Sequence, residues 1–465
     1  MIHAPLRIGL VLAAIGFAAA IPCAAAELQV GMASVDITPP VGCRLSGYFV
    51  ERVSTAVHDP LQAKAMYFAQ GDERVVLVIC DLIGISRTVS TDARKRIADA
   101  TGVPLSNIIV CATHTHTAPL YFGPMREHLH AMAVAKHGSD PCETIDYPKF
   151  LADRIVQSAL DARSAAQPVK LHAGSTMQEP PLSFNRRYFL EDGSVRTNPG
   201  RRKDVVRPAG PIDPVVDVLF MRDAAGEPMG CFTVFSLHLD TTGGTEFSAD
   251  YPFYLEKSLR EAFGPRFVSV FGLGTCGDVN HIDLKAAQRR TAAEIGTALA
   301  DTVRKVLPEL PAVEPDLAAA GVRVDVPLQS YPPDKVVEAR ERIKLVGTRK
   351  LEFLEEVEAC KIVDLQTRPG TTVTLEVQAI RLGRDVAIVT LPGEIFVELG
   401  LAVKKASPFR QTIVVELAND AVAYVPTKKA FAEGGYETVN SRIQPGGGEA
   451  LVDAAGQLLS QLASN

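Results

Sequence analysis

Short, almost wholly apolar runs recur along this chain between amphipathic helical patterns, and that alternation limits its fold more than any other feature. The runs "RVVLVIC" (74–80), "NIIVCAT" (107–113), "CFTVFSL" (231–237), "FVSVF" (267–271), "DVAIVTL" (385–391) and "TIVVELA" (412–418) are strand-length and rich in β-branched residues. Such runs have no polar face, so both sides of the sheet they build must be covered. Helical spacing over 90–101, 147–165, about 250–263, about 284–306 and about 395–405 supplies the cover. The expectation is an α/β fold: a largely buried mixed β-sheet core with flanking helices and an active site at the carboxyl ends of strands. Residues 175–215, rich in Pro, Arg and Asn, read as one long functional loop.

The first 26 residues stand apart from this pattern. A single cation (Arg7), an apolar stretch and the small-residue site Ala24-Ala25-Ala26 before Glu27 form a secretory signal peptide. Cys23 follows Pro22, where a lipid-attachment site needs a small residue, so cleavage after Ala26 is expected. The protein is then periplasmic or secreted, with 27–465 as a single catalytic domain and no transmembrane segment. A formal charge of −6 without basic runs argues against nucleic acid as a partner. The cysteines after the leader have neither CxxC spacing nor scaffold density, and several sit in apolar runs as small hydrophobes.

Chemistry gathers at the strand ends. Asp81, His114 with His116, His238 with Asp240, Asp278 with Asn280, Glu394, and Asn419 with Asp420 follow six separate apolar runs. Open α/β sheets bind ligands there. Alternation along an extended segment puts His114 and His116 on the same side of the chain. Two histidines with His238 and Glu394 make a donor set suited to a zinc ion with an open position; core histidines satisfied by hydrogen bonds are the plain alternative. A second pair, His128 and His130 in "EHLH", lacks a preceding strand and reads as surface. "GLGTCG" (272–277) matches a dinucleotide-binding pattern, but "DVNHID" follows it where a helix should open, so it reads as a tight turn. Neither a GxSxG elbow nor an HExxH helix occurs.

Several ordered segments resemble the neutral/alkaline (non-lysosomal) ceramidase family, in its N-terminal catalytic domain. They are "VGMASVDITPPVGCRLSGY" (30–48), "CATHTHTAP", "FNRRYF" (184–189), "HLDTTGGTEFSADYP", "LPGE" and "NDAVAYVPTKKAFAEGGYE" (419–437). The resemblance implies one zinc ion held by His114, His238, Glu394 and Tyr424. It also implies that His116, Arg186 and Tyr436 face the substrate. The family's "GDVSPN" serine is replaced here by Asn280, with His281 next to it. An amide side chain cannot be acylated, so the implied nucleophile is a zinc-activated water. Asn280 would then donate to the developing oxyanion, with His281 a further acid/base candidate.

The implied activity is zinc-dependent cleavage of an N-acyl amide bond in a ceramide-like lipid. Two alternatives stand beside it: hydrolysis of a smaller soluble amide, ester, lactone or glycan-derived substrate, and a metal-containing binding protein without turnover. The family's C-terminal sandwich-like domain is not expected in a chain ending at Asn465. Asp81 and Asp250 are expected either to hold the outer nitrogens of the ligand histidines or to cap loops.

Overall fold

The computed structural model describes residues 26–464, so the expected leader lies outside the described residues except for Ala26. Eight strands form one mixed sheet. From edge to edge they are Val268–Leu273, Pro228–Phe235, Val215–Asp223, Gln167–Met177, Gln29–Asp36, Gln62–Gln70, Glu73–Cys80 and Ile108–Ala112. The outermost pair at each edge is parallel and the interior pairs are antiparallel. A second sheet of four strands runs Pro315–Pro327, Thr372–Gly383, Val386–Thr390 and Gln411–Val415.

The two sheets stack face to face with helices on both outer sides, giving four layers. Strand periodicity accounts for this. On Glu73–Cys80, Val75, Leu77 and Ile79 point into the core between the sheets, where they meet Ile380, Ile388 and Ile413. Val76, Val78 and Cys80 point the other way, onto the helices Arg87–Thr101 and Tyr147–Ser164 through Ile97 and Ile155. The second sheet turns Val377, Ala379 and Val389 toward Leu458 and Leu459 of the helix Gly447–Ser464. Each apolar side chain so buried contributes roughly 1.5–3 kcal/mol. That is why these strands carry apolar residues at consecutive positions.

Most helix limits follow local signals. Ser86 caps Arg87–Thr101 and Gly102, in the left-handed region, ends it. The helix expected from about 284 begins only at Ala292, because Thr291 and Glu294 form a capping box there. The stretch 175–215 is not a structureless loop. It holds a small three-stranded sheet of Arg187–Leu190, Val195–Thr197 and Val205–Pro208. "GLGTCG" is followed by turns and a two-residue ladder, with no helix opening at the glycines, as expected.

One segment determines where the site lies. Beyond Val415 the chain runs between the two edges of the large sheet. Glu416 N donates to Leu273 O on one edge, while Ala112 N donates to Leu417 O and Asn419 N to Val110 O on the other. The first and last strands of an eight-strand order are thereby drawn together around residues 416–419. The carboxyl ends of Ile108–Ala112, Pro228–Phe235 and Val386–Thr390 now open on one spot.

Candidate active site

His114 follows Thr113 at the end of its strand and adopts φ +73°, a left-handed conformation costly for a residue with a side chain. The chain therefore turns at His114 and does not stay extended, so the alternation expected to align His114 with His116 does not apply. The turn still turns both imidazoles inward, with ring centroids 5.0 Å apart. Leu417, Asn419 and Ala423, from the segment between the sheet edges, also have positive φ. The strain clusters where the strands converge.

The polar atoms at the centre of the site are all acceptors. His114 Nδ1 lies 2.7 Å from Ile83 O, which places the proton on Nδ1 and leaves a lone pair on Nε2. That Nε2 is 3.0 Å from His238 Nε2 and 3.2 Å from Glu394 Oε2. Arg186 Nη1 points at His238 Nε2 from 3.5 Å, and a guanidinium can only donate, so this nitrogen is an acceptor too. Glu394 Oε2 is buried without a hydrogen-bond partner. Burial opposes its ionisation, yet the neighbouring His114 and Arg186 hold the carboxyl below its usual range. Burial, with His114 and Arg186 close by, pushes the His238 imidazole well down, so it is neutral. Three lone-pair donors this close with no proton between them repel one another unless a cation lies among them. Ligand atoms on a tetrahedral zinc are about 3.3 Å apart, so the spacing fits the ion.

Tyr424 stands beside Glu394 in a two-residue parallel ladder, and its hydroxyl accepts from Arg186 Nη2 at 2.9 Å. A nitrogen of His116 also lies within 4.8 Å of ligand atoms of His114 and His238. His116 and Glu394 are thus both within reach of the pair formed by His114 and His238. Both ring nitrogens of His116 are buried and unpartnered. Burial first, with His114 beside it next, lowers its pKa to about 3. Gly47, at φ +102°, packs on this ring: a Cβ there would sit 2.7 Å from His116 Cγ. Tyr436 packs edge-on to Tyr424 at 5.4 Å, and burial pushes its phenol up to about 12.

Asn280 is fully buried in a ladder with Phe184, donates through Nδ2 to Asn198 Oδ1 at 2.8 Å and accepts from Ile282 N. One amide N–H remains available. His281 is buried, and its Nδ1 lies 3.2 Å from Asp240 Oδ1. Burial would raise Asp240, but His281 and then His116 pull it down to about 2.

Neither Asp81 nor Asp250 reaches His114 or His238. His114 spends its outer nitrogen on the Ile83 carbonyl, and His238 Nδ1 faces Cys276 Sγ at 3.9 Å. Asp250 caps the helix Tyr251–Phe263 and ties the Thr241–Thr242 turn. Asp81 accepts from Gln62 N, so of the two roles open to it the loop tie is the one it fills. Burial raises its carboxyl to about 7, against the pull of Lys64. A carboxyl raised in the fold makes stability fall as pH rises from about 4 to about 7. Asp81→Asn, which cannot ionise, should therefore stabilise more at pH 8 than at pH 5, by about 2.5 kcal/mol in urea unfolding. An equal effect at both pH values would contradict this account.

The pair His128 and His130 lies away from the site on the helix Pro124–His137. His130 meets Asp140 and Glu143, but Arg44 and Arg126 already neutralise those carboxylates. Among the described residues all seven cysteines are free thiols, and no helix is long and apolar enough to cross a membrane.

The family model described as "Neutral/alkaline non-lysosomal ceramidase, N-terminal" matches residues 28–281, more than half of the chain. The chain belongs to the neutral/alkaline non-lysosomal ceramidase family. It is similar to the neutral ceramidase of Mycobacterium tuberculosis, 33% identical over an alignment of 174 residues, with 34% of this chain and 26% of that relative covered. Among solved structures it resembles neutral ceramidase from Pseudomonas aeruginosa, with a TM-score of 0.73 and 20% identity over 94% of this chain and 75% of that one. A structure described as a ceramidase complexed with C2 gives a TM-score of 0.70 at 19% identity, covering 94% and 76%. These two likenesses carry the fold.

In this ceramidase-family chain, motif reading missed the residues that hold the site from behind. Glu416 is fully buried within "TIVVELA" and binds Ile395 N at 2.6 Å and Cys276 Sγ at 3.2 Å. Burial raises its carboxyl well above the usual range. A charged residue inside an otherwise apolar run was the available signal. Glu437, next to Tyr436, is a second residue behind the site: it is fully buried and accepts from Arg186 Nε.

Proposed function

We propose that this chain is an exported zinc hydrolase that cleaves the N-acyl amide bond of a ceramide-like lipid, adding water to release a fatty acid and an amine. The approach of His238 Nε2 to 3.0 Å and of the unpartnered Glu394 Oε2 to 3.2 Å of His114 Nε2 carries this reading. His114, His238, Glu394 and Tyr424 would hold the ion. When bound, zinc supplies Lewis-acid polarisation of a carbonyl and a water acidified toward neutral pH.

The remaining steps belong to the chain's own groups. His116 is neutral, so its one unprotonated ring nitrogen takes a proton as water attacks, and the imidazolium, which the buried site makes a strong acid, returns it to the departing amine nitrogen. Arg186 stays charged, because Tyr424 and Glu437 raise its pKa although burial works against it. Its fixed positive charge stabilises the oxygen that becomes anionic. Tyr436 keeps its proton and can donate to the same oxygen, as can the free N–H of Asn280. Burial of these groups excludes water, which strengthens each interaction.

Purified mature protein should hydrolyse a fluorogenic N-acyl-sphingosine, lose the activity to a chelator and regain it with zinc. Zinc-loaded protein without turnover of that substrate would reject the reading.

A further inference from the structure

We infer that Glu437 is a positioning residue for Arg186: its buried carboxylate, clamped by the Thr197 hydroxyl, fixes the guanidinium so that its far edge addresses the metal-site side chains. The inference rests on the hydrolase reading only for its kinetic readout. Arg186 Nε donates to Glu437 Oε1 at 2.7 Å. The other end of the same rigid plane donates through Nη2 to Gly277 O at 2.8 Å and to the Tyr424 hydroxyl at 2.9 Å, with Nη1 toward His238. A guanidinium has its donors in a fixed fork, so holding one edge sets the direction of the other.

Glu437 is suited to this role. It is 0% exposed, so water neither screens its charge nor competes for its oxygens. Its second oxygen accepts from Thr197 Oγ1 at 2.7 Å, which stops the carboxylate from rotating. Arg187 Nε lies 3.6 Å from that oxygen, too far for a hydrogen bond, while its Nη1 and Nη2 are held by Glu433 and the Gly434 carbonyl. Among the described residues, Glu437 is the one carboxylate in an ion pair with Arg186. Its neighbour Tyr436 faces the site while Glu437 holds Arg186 from behind, so one short helical turn sets two substrate-facing groups. Charged partners behind a site group commonly matter this much without touching the substrate.

The test uses Glu437→Gln in the full-length, zinc-loaded protein, alone and combined with Arg186→Ala. Alone it should lower kcat about 10- to 100-fold with KM little changed. In the Arg186→Ala background the same change should cost less than about twofold, the signature of action through Arg186. Equal costs in both backgrounds would overturn the proposal. A second readout needs no turnover: the ¹⁵N Nε–Hε resonance of Arg186, identified by its loss in Arg186→Ala, should shift and exchange faster with water in Glu437→Gln. An unmoved resonance also overturns it. If the parent protein turns over no N-acyl substrate while the resonance moves, only the hydrolase reading fails. Should Glu437→Gln not fold, Thr197→Val frees the carboxylate but keeps the ion pair. It should move the same resonance, and no movement counts against the proposal.

Discussion

His238→Ala should leave the purified protein with zinc at background in place of about one ion per chain, and with hydrolysis reduced at least ~10³-fold. Two features make this among the largest expected effects. His238 Nε2 and Glu394 Oε2 are the two acceptors placed 3.0 Å and 3.2 Å from His114 Nε2, so removing the imidazole takes away one of the two atoms that face it most closely. The removed ring also packs on both other histidines, with centroids 4.4 Å and 5.1 Å away. Zinc content by mass spectrometry and turnover are measured on the same preparation. The wild-type protein should also lose thermal stability on chelation, because an ion that binds only the folded chain stabilises it by mass action. Stoichiometric zinc in His238→Ala would show that the ion is held elsewhere.

His116→Gln should lower kcat by about 10²–10⁴-fold while zinc stays bound. The argument starts from what His116 lacks. Its ring nitrogens have no hydrogen-bond partner although they are buried, an expensive arrangement of roughly 1–3 kcal/mol unless a bound molecule completes it. Glutamine keeps a polar head of similar reach but cannot accept and return a proton near neutral pH. Loss of zinc together with activity would instead make His116 a ligand, as its 4.8 Å proximity to the other two histidines allows. Retained activity would move the proton transfer to the His281–Asp240 pair.

Much of the fold was legible because burial leaves a direct trace in composition. A strand covered on both faces must be apolar at successive positions, and "RVVLVIC" or "DVAIVTL" cannot serve as an exposed edge without that surface being hydrated. Helix limits were less legible. The capping box at Thr291 and Glu294 overrode a helical-looking stretch before it, since a local pair of hydrogen bonds decides the first turn. The small sheet within 175–215 went unseen because its strands are only three or four residues long, too short for a periodic pattern, and are held by pairing with one another.

His114, His238 and Glu394 could be nominated from sequence, because acceptor side chains after buried strands have few other reasons to be there. Sequence alone determined the layered α/β class, the strand ends that carry chemistry and the kinds of donor they offer. Only the tertiary structure decided that the two edges of an eight-strand sheet meet, with residues 416–419 bonded to both. It also decided that His114 turns through a left-handed conformation, and that a backbone carbonyl and a thiol, not Asp81 and Asp250, stand behind the histidines. The physical reason is range. Burial and capping act on a residue and its near neighbours, whereas Arg186 and Glu437 lie 251 positions apart and become partners only when the whole chain closes around them.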